Sequence, residues 1–252
     1  YKGTDFYSGK YFDGVSYGAG STNGIYFAGQ NNNVGFITEN SIIFKTIDKG
    51  ISWAPCYNNK TGNSYNRFFV MSPAICFYTV NVNGNSKLYK SVDTAKTFSE
   101  LYSISSQNEY LWDIFFADQN TGWITSGNGT VFKTINGGTT WNVSKISTGC
   151  SSAGYSRIFF TDALNGFYAD YCGNLYRTTD GGTAWTLSKF MENQVFPEID
   201  FIDQLNGRIH YGYNYIKTTD GGNNWILDSV PNLGISYKTG IFSRVSENDS
   251  WV

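Results

Sequence analysis

The chain has 252 residues, with 18 Lys plus Arg against 20 Asp plus Glu and a formal net charge of -2. That balance excludes a nucleic-acid binder working through bulk positive charge, and no stretch approaches the length of apolar residues needed to cross a bilayer, so no membrane insertion is expected. With 18% aromatic residues, 15% charged residues and 28 Gly, the composition is far from that of disorder and points to a folded, turn-rich, all-β body.

The first twenty residues hold Tyr1, Lys2 and Asp5, which match the third strand of a unit that recurs five times downstream. The first recurrence (21–60) ends on Phe44, Lys45, Thr46, Asp48, Gly50 and Trp53, and the second (61–105) on Tyr89, Lys90, Ser91, Asp93, Ala95 and Phe98. The third (106–150) opens on Ile114, Phe115, Phe116 and Asp118, passes Gly122 and Trp123, and closes on Phe132, Lys133, Thr134, Asn136, Gly138 and Trp141. In the fourth (151–192) the same places hold Ile158, Phe159, Phe160, Asp162, Gly166 and Phe167, then Tyr176, Arg177, Thr178, Asp180, Gly182 and Trp185. The fifth (193–237) has Ile199, Asp200, Phe201, Asp203, Gly207 and Arg208, then Ile216, Lys217, Thr218, Asp220, Gly222 and Trp225. The last stretch (238–252) returns to Ile241, Phe242 and Trp251, as at the opening of the third.

The closing aromatic falls at 53, 98, 141, 185 and 225, so the spacings are 45, 43, 44 and 40 residues, the length of one four-stranded propeller blade. Inside each unit, β-branched and aromatic runs with a period of two are broken by Gly, Asn and Asp, giving strands a to d. No segment has a helical period, which excludes a helical solenoid. Five whole units plus the two ends give six, and 252/6 is 42 residues each. The expected fold is therefore a single-domain, all-β, six-bladed β-propeller of four-stranded antiparallel blades, with 1–20 and 238–252 sharing one blade so that no sheet edge is left open. A seven-bladed ring or a fragment of a longer propeller is the alternative.

The strand c to strand d string resembles the Asp-box (BNR-like repeat) of sialidases, sortilin-type receptors and photosystem II assembly-factor propellers. Asp48 with Trp53, Asp180 with Trp185 and Asp220 with Trp225 carry it well, Asn136 with Trp141 replaces the acid, and Asp93 is followed by Ala95 and Phe98 in place of Gly and Trp. The resemblance is greatest to the photosystem-assembly type, whose strand a reads Phe-x-Asp followed by Gly-Trp, as at Phe116, Asp118, Gly122 and Trp123. It implies a propeller, and an assembly chaperone for a membrane complex as one function. Physically, the carboxylate accepts N–H groups of a tight turn, Gly supplies a positive φ, and the Trp ring packs between sheets. One carboxylate per turn makes a poor calcium site, so no metal or other cofactor is expected.

A ligand is expected at the channel mouth, in the d–a and b–c loops. Arg67, Asp113, Arg157 and Glu198, placed just before strand a in four units, alternate in sign there, and Trp112, Tyr155 and Tyr65 in neighbouring connectors offer stacking surfaces. In the fifth unit Asp200 and Arg208 replace an aromatic pair and are expected to face each other as an ion pair, with His210 on the same strand face. The four cysteines lack metal-ligand spacing. Cys150 with Cys172 is the expected disulfide, and Cys56 with Cys76 is the default second pair.

A sialidase would need three convergent arginines. Arg177 lies near an Asp-box and Arg208 faces Asp200, leaving Arg67, Arg157 and Arg244, and the Arg-Ile-Pro string of sialidases is absent. A non-catalytic interaction module binding protein or glycan, by itself or as one module of a larger secreted protein, is therefore expected, with a glycosidase or the assembly chaperone as alternatives. The expected disulfides point to a secreted or cell-surface protein, and the resemblance of Asp93, Thr94, Ala95 and of Asp228, Ser229, Val230 to the O-glycan acceptor pattern of exported Bacteroidetes proteins implies export by a bacterium of that type.

Overall fold

A computed structural model describes residues 22–28, 33–39, 41–59, 65–105, 110–150, 154–191, 198–211 and 214–227. The chain divides into two compact units, Tyr1–Gln107 and Asn108–Val252. The first unit holds two four-stranded antiparallel sheets. One is β1 (Thr22–Ala28), β2 (Val34–Glu39), β3 (Ile42–Thr46) and β4 (Ala54–Asn58), and the other is β5 (Tyr65–Val70), β6 (Cys76–Val82), β7 (Asn85–Ser91) and β8 (Ser99–Ile104). The second unit holds three. They are β9 (Leu111–Phe116) with β10 (Gly122–Ser126), β11 (Thr130–Thr134) and β12 (Asn142–Lys145), then β13 (Arg157–Phe160) with β14 (Gly166–Ala169), β15 (Asn174–Thr178) and β16 (Thr186–Phe190), and β17 (Glu198–Phe201) with β18 (Gly207–Tyr211), β19 (Asn214–Thr218) and β20 (Ile226–Leu227). Each sheet is an up-and-down meander, the blade of a β-propeller. Five blades are described, and the composite blade expected from 1–20 and 238–252 lies outside the described residues.

Burial falls from the inner strands to the outer one. The second strands depart from the expected alternation: β10 and β14 are buried along their whole length. A blade is covered on both faces, so its middle strand has no solvent side on which to place polar residues. The outermost strands β4 and β12 are mostly exposed.

One cross-strand row repeats through the blades. It reads Tyr26, Phe36, Lys45 in the first, Phe69, Phe77, Lys90 in the second, Phe115, Trp123, Lys133 in the third and Phe159, Phe167, Arg177 in the fourth. The cation lies along the ring: Lys90 Nζ is 5.4 Å from the Phe77 centroid and Lys133 Nζ 5.6 Å from that of Trp123. Within the second unit this row meets the following blade. Trp123 stacks on Phe160 at 3.5 Å and 8°, and its indole N–H donates to the Gly181 carbonyl at 3.0 Å. Phe167 stacks on Phe201 at 5.0 Å and meets Trp225 edge-on at 5.8 Å. Burying one such aromatic side chain is worth about 2–3 kcal/mol.

The Asp-box turns share one hydrogen-bond plan. The Thr46 hydroxyl donates to Asp48 Oδ1 at 2.7 Å and accepts the Gly50 N–H at 2.9 Å, while the same Asp48 oxygen accepts the Ser52 N–H at 2.9 Å. Ser91, Thr134, Thr178 and Thr218 do the same toward Asp93, Asn136, Asp180 and Asp220. Two consecutive residues of each turn have positive φ, and the second blade uses Thr94 (63°) and Ala95 (60°) where the later blades use Gly. A β-branched residue in the left-handed region is strained. At the opening of strand b the reason for Gly is space: a Cβ on Gly122, Gly166 or Gly207 would lie within 2.6 Å of the ring of Phe116, Phe160 or Phe201.

Two outcomes follow from the turns. Thr94→Gly keeps the turn, since the Thr94 hydroxyl reaches only the neighbouring Asp93 carbonyl, and removes left-handed strain. Urea unfolding should show a gain of about 1 kcal/mol. The carboxyls give a pH signature. Asp48 is held down to about 2 by the Ser52 hydroxyl and N–H and then the Thr46 hydroxyl, and Asp220 to about 2 by the N–H and side-chain amide of Asn224 and then Thr218. Asp93 and Asp180 are lowered as well. These pKa values lie below that of an unfolded carboxyl, so the stability they lend is complete above about pH 4 and is lost as pH falls toward about pH 2. Circular dichroism over an acid titration should place the loss in that window, and Asp48→Asn should weaken its pH dependence there.

Candidate functional site

In every described meander the a–b and c–d turns lie at one end of the blade. The b–c loop lies at the other, where strand a begins. Register places Arg67, Asp113, Arg157 and Glu198 at one equivalent position, opposite Thr79, Thr125, Ala169 and His210. The sequence alignment of the four therefore stands, but their expected location is corrected: they lie within or at the first residue of strands β5, β9, β13 and β17, not before them. Asp113 is also not an open rim charge. It is 1% exposed, and its carboxylate accepts the N–H of Ile114 at 2.9 Å and that of Ile158, in the neighbouring β13, at 3.0 Å. This carboxylate ties the starts of two inner strands together, which calls for an acceptor. Arg157 is half-buried and directs Nη1 to the Ser156 carbonyl at 3.4 Å. The side chains of Glu198, Tyr65 and His210, and all of Arg244, lie outside the described residues.

Two of the three aromatic residues expected to offer stacking surfaces, Trp112 and Tyr155, lie in ring contact in the second unit. Trp112 is the extra residue of a bulge in β9, where Leu111 and Asp113 pair with the consecutive residues Ser126 and Thr125. A bulge turns one side chain out of the alternating pattern, which moves Trp112 from the expected connector position into the strand while keeping it at the blade end. The Tyr155 ring lies 4.2 Å from that of Trp112 and the Tyr110 ring 5.5 Å from it. Tyr155 is 39% exposed, whereas the Trp112 indole N–H is buried without an acceptor among the described residues. Tyr110 escaped notice in the sequence, although its position two residues before Trp112 was the available signal.

The Cys150–Cys172 disulfide is present, with Cα atoms 5.8 Å apart. It joins the connector after β12 to the b–c loop of the next blade. That loop folds around Asp170, 4% exposed, which accepts the N–H of Cys172 and of Asn174, both at 2.9 Å, and the Asn174 side-chain amide at 2.8 Å. The connector is held in turn by Thr148, whose carbonyl accepts from Asn174 Nδ2 at 3.3 Å and from the Tyr176 hydroxyl at 3.2 Å. Burial, followed by the nearby Asp170, pushes the Tyr176 phenol up. Tyr171 on the same loop packs on Gly154, where a Cβ would lie 2.6 Å from the tyrosine ring. The spacing Asp170-x-Cys172-x-Asn174 is the sequence signal for this loop. The ligand atoms of Cys150, Asp170 and Cys172 lie within 4.8 Å of one another, but the two sulfurs are bonded together and offer no thiolate pair.

The second expected disulfide is corrected, because Cys56 and Cys76 are free thiols. Cys56 sits on the outer strand β4 and Cys76 opens β6, its thiol buried beside Ser91. Burial raises them to about 11 and about 12. Asp200 and Arg208 are cross-strand partners as expected, and Lys217 extends the row. Arg177 reaches the next Asp-box turn through Asn223 Oδ1 at 2.6 Å. No helix among the described residues is long and apolar enough to cross a membrane.

Blade geometry, the turn plan and the strand a motif can now be set beside known proteins. Residues 69–179 match the family model of photosynthesis system II assembly factor YCF48. The chain is a BNR-type repeat propeller similar to YCF48, as its Asp-box and Phe-x-Asp motifs indicated. A structure of YCF48 bound to a D1 peptide is 15% identical at a TM-score of 0.60, over 85% of this chain and 68% of that one. YCF48 from Cyanidioschyzon merolae is 14% identical at 0.56, over 89% and 88%. An ancestral GH74 enzyme is 16% identical at 0.64, but its match covers 83% of this chain and only 31% of the enzyme. No curated protein matches. The YCF48 match corrects the expected location at the surface of, or secreted from, a Bacteroidetes-type bacterium, since the proteins matched are photosystem II assembly factors. With it goes the O-glycan reading: Asp93, Thr94 and Ala95 form the Asp-box turn of the second blade, and Asp228, Ser229 and Val230 lie outside the described residues.

The disulfide closes a segment with a sequence separation of 22. Replacing both cysteines by Ser should lower stability by about 3 kcal/mol, the loop-closure contribution for that length, read as a lower urea midpoint with a steeper slope because the uncross-linked unfolded chain exposes more surface.

Proposed function

We propose that the chain is a non-catalytic assembly factor of the YCF48 type that holds a segment of a client protein at the blade end where β9 and β13 begin. The observation that carries this reading is the Tyr110, Trp112 and Tyr155 cluster, an aromatic surface gathered at a bulge, with Tyr155 exposed and Tyr110 and Trp112 half-buried. Rigid amphipathic rings of this kind anchor peptide segments at low entropic cost. The likeness to a YCF48 that was captured with a D1 peptide supports the same reading. A ring of six blades completed by 1–20 and 238–252 belongs to this proposal as its scaffold.

A glycosidase is the weaker reading, because catalysis of that kind needs a carboxyl free to give up a proton. Of the two candidate carboxyls at this end, Asp113 and Glu198, Asp113 has both oxygens engaged by backbone N–H groups, and the side chain of Glu198 lies outside the described residues.

The test is binding of the D1 peptide to the purified full chain by isothermal titration calorimetry, alongside a panel of fluorogenic glycosides. Saturable binding is expected, with Trp112→Ala and Tyr155→Ala each weakening it by roughly tenfold or more. Absence of binding, or turnover of any glycoside, would defeat the reading.

A further inference from the structure

We propose that Ser156 is the positioning residue of the aromatic surface: its buried hydroxyl, acting between two blades, fixes Tyr155 against Trp112 before any client arrives. That a client segment lands on this pair rests on the binding reading above. The positioning itself stands on contacts within one compact unit.

Tyr155 is 39% exposed, yet Ser156 beside it is 1% exposed. Burial alternates from there into β13, with Ser156, Ile158 and Phe160 turned inward and Arg157 and Phe159 only half-buried. Ile158 and Phe160 fill that inward row with apolar surface and belong to one core cluster. Serine at the head of the row buries a hydroxyl instead, which is costly unless the hydroxyl is bonded.

The bonds it makes tie two blades together. Ser156 Oγ donates to the Ser126 carbonyl of β10, in the preceding blade, at 3.4 Å. The hydroxyl of Tyr168, on β14, is hydrogen-bonded to the Ser156 side chain and to the Gly129 backbone of that preceding blade. Ser126 and Tyr168 are no more than 1% exposed, so water does not compete for these groups.

Ser126 stands at the bulge that carries Trp112. It pairs with Leu111, and Thr125 pairs with Asp113, so these two rungs enclose the extra residue. One rung holds Ser156 through the Ser126 carbonyl, and the other holds Ile158, whose N–H donates to Asp113 Oδ2 at 3.0 Å. The chain that follows Tyr155 is thus tied at alternate residues to both sides of the bulge. A single tie through Asp113 would fall three residues beyond Tyr155 and leave a pivot, whereas Ser156 brings a second tie to the adjacent residue. The 4.2 Å contact between the Tyr155 and Trp112 rings follows from that placement. A side chain ordered in advance spares the client the entropy of ordering it, so Ser156 adds to affinity without touching the client.

The experiment compares the full chain with Ser156→Ala and with Tyr168→Phe, which keeps Ser156 but removes one of its partners and serves by itself should the first variant fail to fold. The Trp112 indole N–H signal in a nitrogen–proton correlation spectrum, assigned by its loss in Trp112→Phe, reports the neighbouring tyrosine ring. It should shift in both variants toward its position in Tyr155→Ala, while the amide signals of β9 and β10 keep their dispersion. A serine that only stabilised the fold would lower the unfolding midpoint and leave this signal in place. An indole signal unmoved in the folded variants, or unmoved by Tyr155→Ala itself, would overturn the positioning role. Affinity for the D1 peptide should fall roughly threefold to tenfold in Ser156→Ala, the scale of one side chain left to be ordered on binding. Equal affinity of Ser156→Ala and a parent chain that binds would also overturn the proposal. A parent chain that binds no peptide defeats the binding reading instead, because the indole signal judges Ser156 with no peptide present.

Discussion

The blades rest on a buried hydroxyl. Thr46, Ser91, Thr134, Thr178 and Thr218 are each no more than 2% exposed, and each hydroxyl is both donor and acceptor inside its turn. It donates to the carboxylate or amide two residues on and accepts the N–H four residues on. A residue without a hydroxyl here would leave a buried N–H unpaired and the Asp without its second donor, so the third strand could not turn tightly into the fourth. The turn then bonds to the a–b loop of its own blade, as Gly137 N–H does to Asn120 and Gly181 N–H to Leu164. One hydroxyl thereby sets the spacing of all four strands at that end.

What the blades offer one another follows from that spacing. The aromatic, aromatic, cation row of the first four blades becomes Asp200, Arg208, Lys217 in the fifth. In the second unit Trp123 and Phe167 are each roofed by the glycine of the next Asp-box, Gly182 and Gly222, so a flat ring is met by a surface without a side chain.

Much of the fold was legible in the sequence because both of its regularities are local. Asp-box strings reported turns whose hydrogen bonds span four residues, and the recurring Phe-x-Asp and Gly marked strand a and the opening of strand b, whereas the rings of Phe116, Phe160 and Phe201 lying on Gly122, Gly166 and Gly207 emerged only from the structure. The Cys150–Cys172 bridge and the Asp200 to Arg208 pairing were readable from equivalent positions in the repeat. The site was less so. Alignment put Asp113 among rim charges, but whether a carboxylate faces solvent or a neighbouring strand's N–H depends on how two sheets approach each other, which no single-strand pattern encodes. Trp112 was displaced from its expected connector by one bulged residue. Cys56 and Cys76 paired by default in the sequence, whereas the structure keeps both as free thiols within one apolar cluster.

The two ends of the blades thus differ in kind. At the Asp-box end each blade repeats one hydrogen-bond plan, and the side chains left over, such as Ile47, Val92 and Ile135, stand out singly. At the other end the first three blades share a bulge at one position of strand a, where only the third has an aromatic residue, Trp112, and the loops diverge, with a 3-10 turn at Gly127–Gly129 in the third blade and a disulfide with a buried carboxylate at 170–174 in the fourth. Repetition is what a scaffold needs, because each turn must satisfy the same backbone groups. Recognition of one segment of one partner requires the opposite, a surface on which no two blades present the same groups. The irregular end is the only one of the two that meets this condition among the described residues, and the aromatic cluster at Trp112 is where its departures from the repeat converge.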